Sequence, residues 1–482
     1  MVYLLLIAVP LAAGLAALAV GSDRWRPALL PAAFAVHASV VAACWRRLPE
    51  PAASGWLGLD SLGLIVLSLS SAVMLVCSVY CLEYLRLRAD RNNRLFTACL
   101  AFILAAVSLV CVSRHLGLLW VGMETATLAA GPLVHFNRNK RSLEAVWKYL
   151  MMGSLGIGLA LLGTFFLALS ALPSAVPGGS LLIDVLVAHA GALSVPWLKG
   201  AFIFLLVGYG TKMGLAPLHS WKPDAYGEAP GVAGAILAGV LTGCAFLGIL
   251  RVFQICAAAG LADFARGLLV LMGLLSMATA AVFVIGQRDF KRMLAYSSVE
   301  HMGLLALGVG LGPAGTYAAL LHFVNNGLTK GVLFLTAGNI HREFGGKTMD
   351  RVHGALRRVP ISATLFLLGF IAITGSPPFG PFVSEFSLLR AAVDGGRLGV
   401  AGGMVSLLGI IFIGMATTVL AVVYGAPRAE GDGASASRGD SPMMVAAPLV
   451  FAAAVLALGL WLPGWLTSAL ADATRLLNGA PS

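Results

Sequence analysis

Residues 202–230 read FIFLLVGYGTKMGLAPLHSWKPDAYGEAP, and Lys212 within them decides how the chain must be read. An ammonium group stands among Leu205, Val207, Met213 and Leu215, in a run interrupted by Gly208, Gly210, Gly214 and Pro217. In a soluble protein a lysine sits at the surface almost without exception. Composition removes that option. Of the 482 residues 59% are hydrophobic and 11% charged, against about 25% charged in an ordinary soluble domain. One globule cannot hide so much apolar surface, because soluble single cores stop growing near roughly 250–300 residues. Lipid is therefore the solvent for most of the chain. The net charge of +11 does not point to nucleic acid, since the basic residues are dispersed between apolar segments and form no stripe or tail.

A spanning helix needs about 20 mostly apolar residues. Such windows fall at 3–20, 28–45, 62–82, 95–112, 115–135, 147–171, 197–217, 232–252, 265–286, 293–311, 315–338, 360–377, 402–424 and 443–465, with 378–396 continuing the twelfth after a break. The expected fold is an all-α polytopic membrane protein of about 14 transmembrane helices. The opening MVYLLLIAVPLAAGLAALAVG has no basic segment before its apolar run, so it reads as a retained helix. An even number of spans puts both termini on one side. If that side is external, most of the 32 Lys and Arg fall in internal loops, among them Arg88, Arg91, Arg138, Lys140, Lys222, Arg288 and Arg351. That satisfies the positive-inside rule and places both termini on the outer side of the membrane. Residues 427–442, PRAEGDGASASRGDSP, have the composition of a mobile internal connection.

The seven cysteines are scattered, apart from Cys77 and Cys81 one turn apart. No spacing matches a zinc site, an iron–sulfur ligand set or a thioredoxin motif, so buried small apolar residues are expected. There is no phosphate-binding loop, dinucleotide fingerprint or nucleophile elbow. The chain is thus expected to hold no catalytic site, cofactor or metal of its own. What remains is ionisable chemistry inside the spans: Glu124 in WVGMETATL, Lys148 in AVWKYLMMG, Lys212, Lys330 in HFVNNGLTKGVLF and Glu385 in GPFVSEFSLL, with His219, His301 and His322 near the same helices.

A charge at the bilayer centre costs about 2.5–3.5 kcal/mol on insertion scales, which makes each such residue a functional candidate. The chemistry suggested is proton transfer. Desolvation disfavours a buried ammonium, a nearby carboxylate restores it, and moving that carboxylate switches the lysine between holding and releasing a proton. Lysine suits the role because arginine stays charged, and histidine passes protons between such sites at small cost. Blander readings stand beside this one. Lys148 lies two turns from the basic NRNKR loop and can snorkel to the interface, Glu385 follows a broken helix and can be half solvated, and Glu124 with Lys212 can form a structural ion pair. His219 and Glu300 can sit at an interface, and adjacent Glu300 and His301 point apart on a helix, which argues against a metal site.

Two spans are interrupted. The seventh carries GYGTKMGLAPLHSW and the twelfth AITGSPPFGPFVSEF, and such breaks persist in a membrane only where protein or a wet cavity surrounds them. Paired breaks in corresponding positions point to inverted repeats with an ion path at each. Taking spans 4–8 and 9–13 as the repeats puts spans 7 and 12 in equivalent fourth places. The expected divisions are 1–94 (helices 1–3), 95–256 and 257–425 (two inverted five-helix repeats), and 426–482 (internal loop and helix 14).

KMGLAPLHSWKPDAYGEAP, DFKRMLAYSSVEHMG and ITGSPPFGPFVSEF resemble the antiporter-like subunits of respiratory complex I, multisubunit cation/proton antiporters and group 4 membrane-bound hydrogenases. AVWKYLMMGSLGIGLALLGTFFL, GYGTKMGLAPLHSW and AYSSVEHMG look most like component F of hydrogenase-4 and formate hydrogenlyase-type complexes. The resemblance runs from roughly Glu124 to Glu385. It implies a proton path in which Glu124 and Lys212 form an electrostatic switch, His219 and Asp224 follow in the PLH…PDA segment, and Lys330, His301, His322 and Glu385 relay the proton outward. It also implies nickel–iron and iron–sulfur centres in partner subunits, and as partners other antiporter-like and anchor membrane subunits with peripheral hydrogenase and iron–sulfur subunits. One departure stands out: where many members carry a central lysine in helix 8, this chain has Gly243. No long amphipathic C-terminal helix of the kind found in the most distal complex I subunit is expected.

The energy must come from elsewhere. Moving a proton against about 150 mV costs about 3.5 kcal/mol, and nothing in this sequence supplies it. Three readings follow: a proton-translocating subunit of a redox complex, a subunit of a cation/proton antiporter or inorganic-carbon uptake system, and a membrane scaffold with a vestigial channel.

Overall fold

The structure, a computed structural model, describes residues 1–172, 180–426 and 439–479. Among the described residues there are no strands beyond three isolated bridges, Leu57 with Ser113, His115 with Leu182, and Asp289 with Thr348. Helices are the outcome lipid demands of an open chain, because each satisfies its own backbone polar groups. α1 (Val2–Ala19) and α2 (Leu29–Arg46) lead into α3 (Ser61–Leu87), α4 (Arg94–Val112), α5 (Leu116–Val134) and the long α6 (Lys140–Ala171). After a short α7 (Ile183–Ala188), α8 (Val195–Met213) stops at a break and α9 (Trp221–Glu228) follows. α10 (Gly231–Ile236) and α11 (Thr242–Ala258) join through a wide turn at Leu237–Leu241, and α12 (Ala262–Val284), α13 (Phe290–Gly310) and α14 (Pro313–Phe344) come next. A short α15 (Ala355–Arg358) precedes the second broken pair, α16 (Pro360–Ile373) and α17 (Gly380–Asp394). α18 (Leu398–Tyr424), α19 (Pro442–Leu460) and α20 (Gly464–Leu477) complete the described chain.

The apolar windows expected from the sequence fall on these helices, and among the described residues 10 helices are long and apolar enough to cross a membrane. α8, α13 and α14 are also long, but Lys212, the Glu300–His301 pair, His322 and Lys330 dilute their apolar character. The apolar stretch of the α10–α11 rod is 94% buried and that of α1 28%. The rod therefore lies at the centre, and α1 offers Leu4, Leu11 and Leu15 to lipid.

Both breaks satisfy their backbone from neighbouring elements, as a membrane requires. Beyond α8, Trp221 Nε1 donates to the Thr211 carbonyl (2.8 Å), and Ser276 Oγ on α12 accepts from the Ala216 amide (2.9 Å). Beyond α16, Asn325 Nδ2 on α14 donates to the Gly380 carbonyl (2.9 Å).

Three findings differ from the sequence reading or lie outside it. Lys222, assigned to an internal loop, is fully buried on α9, because the chain after the break turns back among the helices. α20 is a short amphipathic helix that buries Leu466, Leu470, Ala473 and Leu477; its mixed composition hides it from a search for apolar runs. Of the connection expected at 427–442, residues 427–438 lie outside the described residues.

Candidate functional site

The first half of the site lies where α5, α6 and α8 meet. Glu124 on α5 faces Lys212 in the last turn of α8, with Oε2 and Nζ 3.9 Å apart. Lys212 Nζ donates to Thr127 Oγ1 on α5 (2.7 Å) and lies 5.8 Å from the Tyr149 ring centroid on α6. The lysine fits because Gly153 of α6 has no side chain: a Cβ there would collide with the ammonium. Glu124 Oε2 makes no hydrogen bond among the described residues. The pair is thus attracted but not locked. Beside it, Met123, Thr127, Tyr149, Lys212, Trp221, Leu237 and Leu241 line a cavity of about 20 Å³, room for about one water.

The second half is built from α13, α14 and the second break. Lys330 on α14 is fully buried, and its Nζ donates to Ser297 Oγ on α13 (2.8 Å). Glu300, one turn along α13 from Ser297, is also buried. His301 Nε2 lies 3.9 Å from Glu300 Oε2, and His301 Nδ1 shares a hydrogen bond with His322 Nε2 (3.0 Å). His322 Nδ1 in turn meets Ser384 Oγ on α17 (2.9 Å). Glu385 is buried beside it, with Oε2 packed over Gly375 in the break, where a Cβ would collide. Gly375 takes φ +67°, a conformation that favours glycine.

The structure therefore gathers Glu124 with Lys212, and Lys330, His301, His322 and Glu385 with one another. It leaves two candidates outside these clusters. Lys148 is half-exposed, bonded to Glu144 Oε1 (2.6 Å) and to Asp224 Oδ2 (2.8 Å). Asp224 also takes Arg292 (2.7 Å), so this cluster belongs to the charged end of the bundle. His219 is half-buried in the first break, 6.4 Å from the rings of Phe283 and Tyr296.

Glu300 is not an interface residue: it is buried beside His301, one turn from the Ser297 that bonds Lys330, because α13 runs through the middle of the second half. Its place inside the 293–311 window was the available signal. Donor atoms of His301, His322 and Glu385 also lie within 4.8 Å of one another; they come from three different helices, so spacing along one helix did not reveal the group. The seven cysteines are all free and buried, in keeping with their expected apolar role.

These features define a class: a polytopic helical membrane protein whose interior holds two clusters of exchangeable carboxylate, lysine and histidine groups next to two broken helices. The transmembrane model of the NADH:quinone oxidoreductase/Mrp antiporter family matches residues 113–419, and the chain belongs to that family. It is 34% identical over 417 residues to the Hydrogenase-4 component F homolog of Methylacidiphilum infernorum, covering 84% of this chain and 86% of the relative. It is 33% identical to NADH-quinone oxidoreductase subunit N of Desulforudis audaxviator, covering 76% and 75%. The fold matches a chain of the archaeal membrane-bound sulfane sulfur reductase with a TM-score of 0.88 at 19% identity, covering 100% of both. A chain of the Mrp complex from Dietzia sp. gives 0.85 at 19% identity, covering 100% and 99%.

Proposed function

We propose that this chain is the proton-translocating subunit of a redox-driven complex in a bacterial or archaeal cytoplasmic membrane, of the group 4 nickel–iron hydrogenase or formate hydrogenlyase type. The observation that carries the reading is the Glu124–Lys212 pair, held at 3.9 Å without a direct hydrogen bond. Two charges about 4 Å apart attract by about 4 kcal/mol at an effective dielectric constant near 20. Doubling that separation removes about half, roughly 2 kcal/mol, which is more than tenfold in proton affinity. A movement that doubles the Glu124–Lys212 separation therefore switches Lys212 between keeping and losing a proton. The groups from Lys330 through Ser297, Glu300, His301 and His322 to Glu385 accept and pass it on.

Similarity to the component F homolog favours the hydrogenase branch, in which nickel–iron and iron–sulfur centres would belong to peripheral partner subunits. Further antiporter-like and anchor subunits would flank the chain in the membrane. The comparable identity to subunit N keeps a complex I-type enzyme as the second reading.

The test is mild-detergent purification of the tagged complex, identification of its subunits, and proton uptake by vesicles containing it. Co-purifying nickel–iron hydrogenase subunits are expected, and Lys212→Met should remove this subunit's share of proton translocation while the complex keeps its composition. Quinone-reductase subunits would move it to the complex I type. Cation-antiporter subunits alone, or a carbon-uptake protein, would overturn the redox reading. Unchanged translocation in Lys212→Met would sink the proton path itself.

A further inference from the structure

We infer that Lys222, on the short helix after the first break, is the proton carrier that joins the two halves of the path. This rests on the proton-translocation reading above. The first cluster ends at Lys212 and the second begins at Lys330, and the α10–α11 rod supplies no amine between them. At Gly243 of that rod any Cβ would collide with the Phe323 ring, so the position is closed to a larger side chain. Lys222 is the amine that the fold brings in instead.

Four observations place it there. Its side chain is fully buried. Its Nζ makes no hydrogen bond among the described residues. The end of the side chain lies across Gly214, two residues past Lys212, so closely that a Cβ on Gly214 would collide with it. The Tyr226 ring beside its Nζ packs against Phe334 on α14, one turn from Lys330, with centroids 5.4 Å apart, so the amine lies towards the second cluster. The centroid of that ring lies 5.7 Å from Nζ, within cation–π range of an ammonium.

A structural lysine in such a place would be expected to have a carboxylate or carbonyl. Lys291, buried on α13, does: its ammonium donates to the Ala229 carbonyl. Leaving a buried charge uncompensated destabilises a fold, and ionisable groups kept inside membranes at that cost are functional by default. The step is plain proton exchange. An N–H bond forms at Lys222 Nζ as one breaks on the Lys212 side, and it breaks again as one forms at Lys330 Nζ. Because like charges repel, a proton on Lys330 disfavours one on Lys222, so the two amines hold one proton between them and pass it in turn.

The experiment is proton translocation per redox turnover by the whole complex in vesicles, for Lys222→Met, Lys222→Arg and Lys222→His, with Lys212→Met as the reference. Lys222→Met should lose as much translocation as Lys212→Met, and its complex should melt no lower than the wild type, since an uncompensated amine has been removed. Lys222→Arg should fail equally, because a guanidinium does not release its proton, whereas Lys222→His should recover part of the loss. Full activity in Lys222→Arg, or lost assembly or a lower melting temperature in Lys222→Met, would make Lys222 a structural cation and overturn the inference. Normal translocation in Lys222→Met beside a defective Lys212→Met would overturn it too and leave the path standing. Normal translocation in both would remove the proton-translocation reading instead.

Discussion

At the scale of single residues, the second half of the site is a hydrogen-bonded wire whose polarity has only two settings. His301 Nδ1 and His322 Nε2 are 3.0 Å apart, so one nitrogen donates and the other accepts. If His301 donates, His322 carries its proton on Nδ1 and offers it to Ser384 Oγ at 2.9 Å; the opposite tautomers reverse the direction. Moving one proton through the pair flips both rings from one setting to the other. Glutamine at 322 can fill the space and make one of the two hydrogen bonds, but it cannot take a proton in and give one out. His322→Gln should therefore lower this subunit's translocation by about 10²-fold, the low end of what a positioned proton-transfer group contributes, with the assembled complex intact. Vesicle acidification per turnover is the measurement, and a loss below about twofold would show that protons bypass His322.

At the scale of elements, the two breaks do more than interrupt helices. Gly375 sits at φ +67° and supports the Glu385 carboxylate, so any side chain there combines backbone strain with displacement of a path residue. Gly396, at φ +70° in the α17–α18 turn, has open space beside it and isolates the backbone term. Gly396→Ala should cost about 1–2 kcal/mol of stability and Gly375→Ala more, because its Cβ also meets Glu385, both visible as lowered melting temperatures, but only Gly375→Ala should lose translocation. Equal translocation in the two variants would show that the position of Glu385 against the break is immaterial. The breaks and their helices were legible because about 20 apolar residues are needed to cross lipid and Gly and Pro interrupt them visibly. Glu124, Lys212, Lys330 and Glu385 were legible for the same reason, as ionisable residues in apolar company. Lys222 was not. The apolar window closed at Pro217 and WKPDAYGE looked like loop, while only tertiary packing returns α9 to the interior. Nor could spacing along one helix show that Thr127, Ser297 and Ser384 bond the path residues, since each partner comes from a different helix.

At the scale of the whole molecule, the end of the bundle opposite Arg88 and Lys347 is tied by one carboxylate. Asp60 precedes α3 and accepts from Arg251 Nη1 (2.6 Å) and Nη2 (2.8 Å) on α11, from Arg114 Nη1 (2.6 Å), and from the Gly63 amide at the start of α3 (2.8 Å). Arg114 continues the strap to Asp184 at 2.8 Å. The N-terminal helices are thus fastened to the central rod that separates the two clusters. Burial alone would raise the Asp60 pKa, but Arg251 and Arg114 outweigh it and hold the carboxyl well below the usual carboxylate range. The sign follows: a depressed folded-state value contributes stability that is complete above the unfolded value of about 3.9 and fades only as pH falls below it towards the folded value. Asp60→Asn keeps a side chain able to cap α3 but leaves the fully buried Arg251 guanidinium without its counter-charge, which costs about 3–5 kcal/mol. We expect the purified variant to melt well below the wild type at pH 7, and the gap to narrow as both are acidified below about pH 4, where the unfolded wild-type chain takes up a proton at Asp60 that the folded one still refuses. A variant that melts with the wild type at pH 7 would show that the Asp60 charge does not hold the rod to the N-terminal helices, and that their packing surfaces alone set the frame around the path.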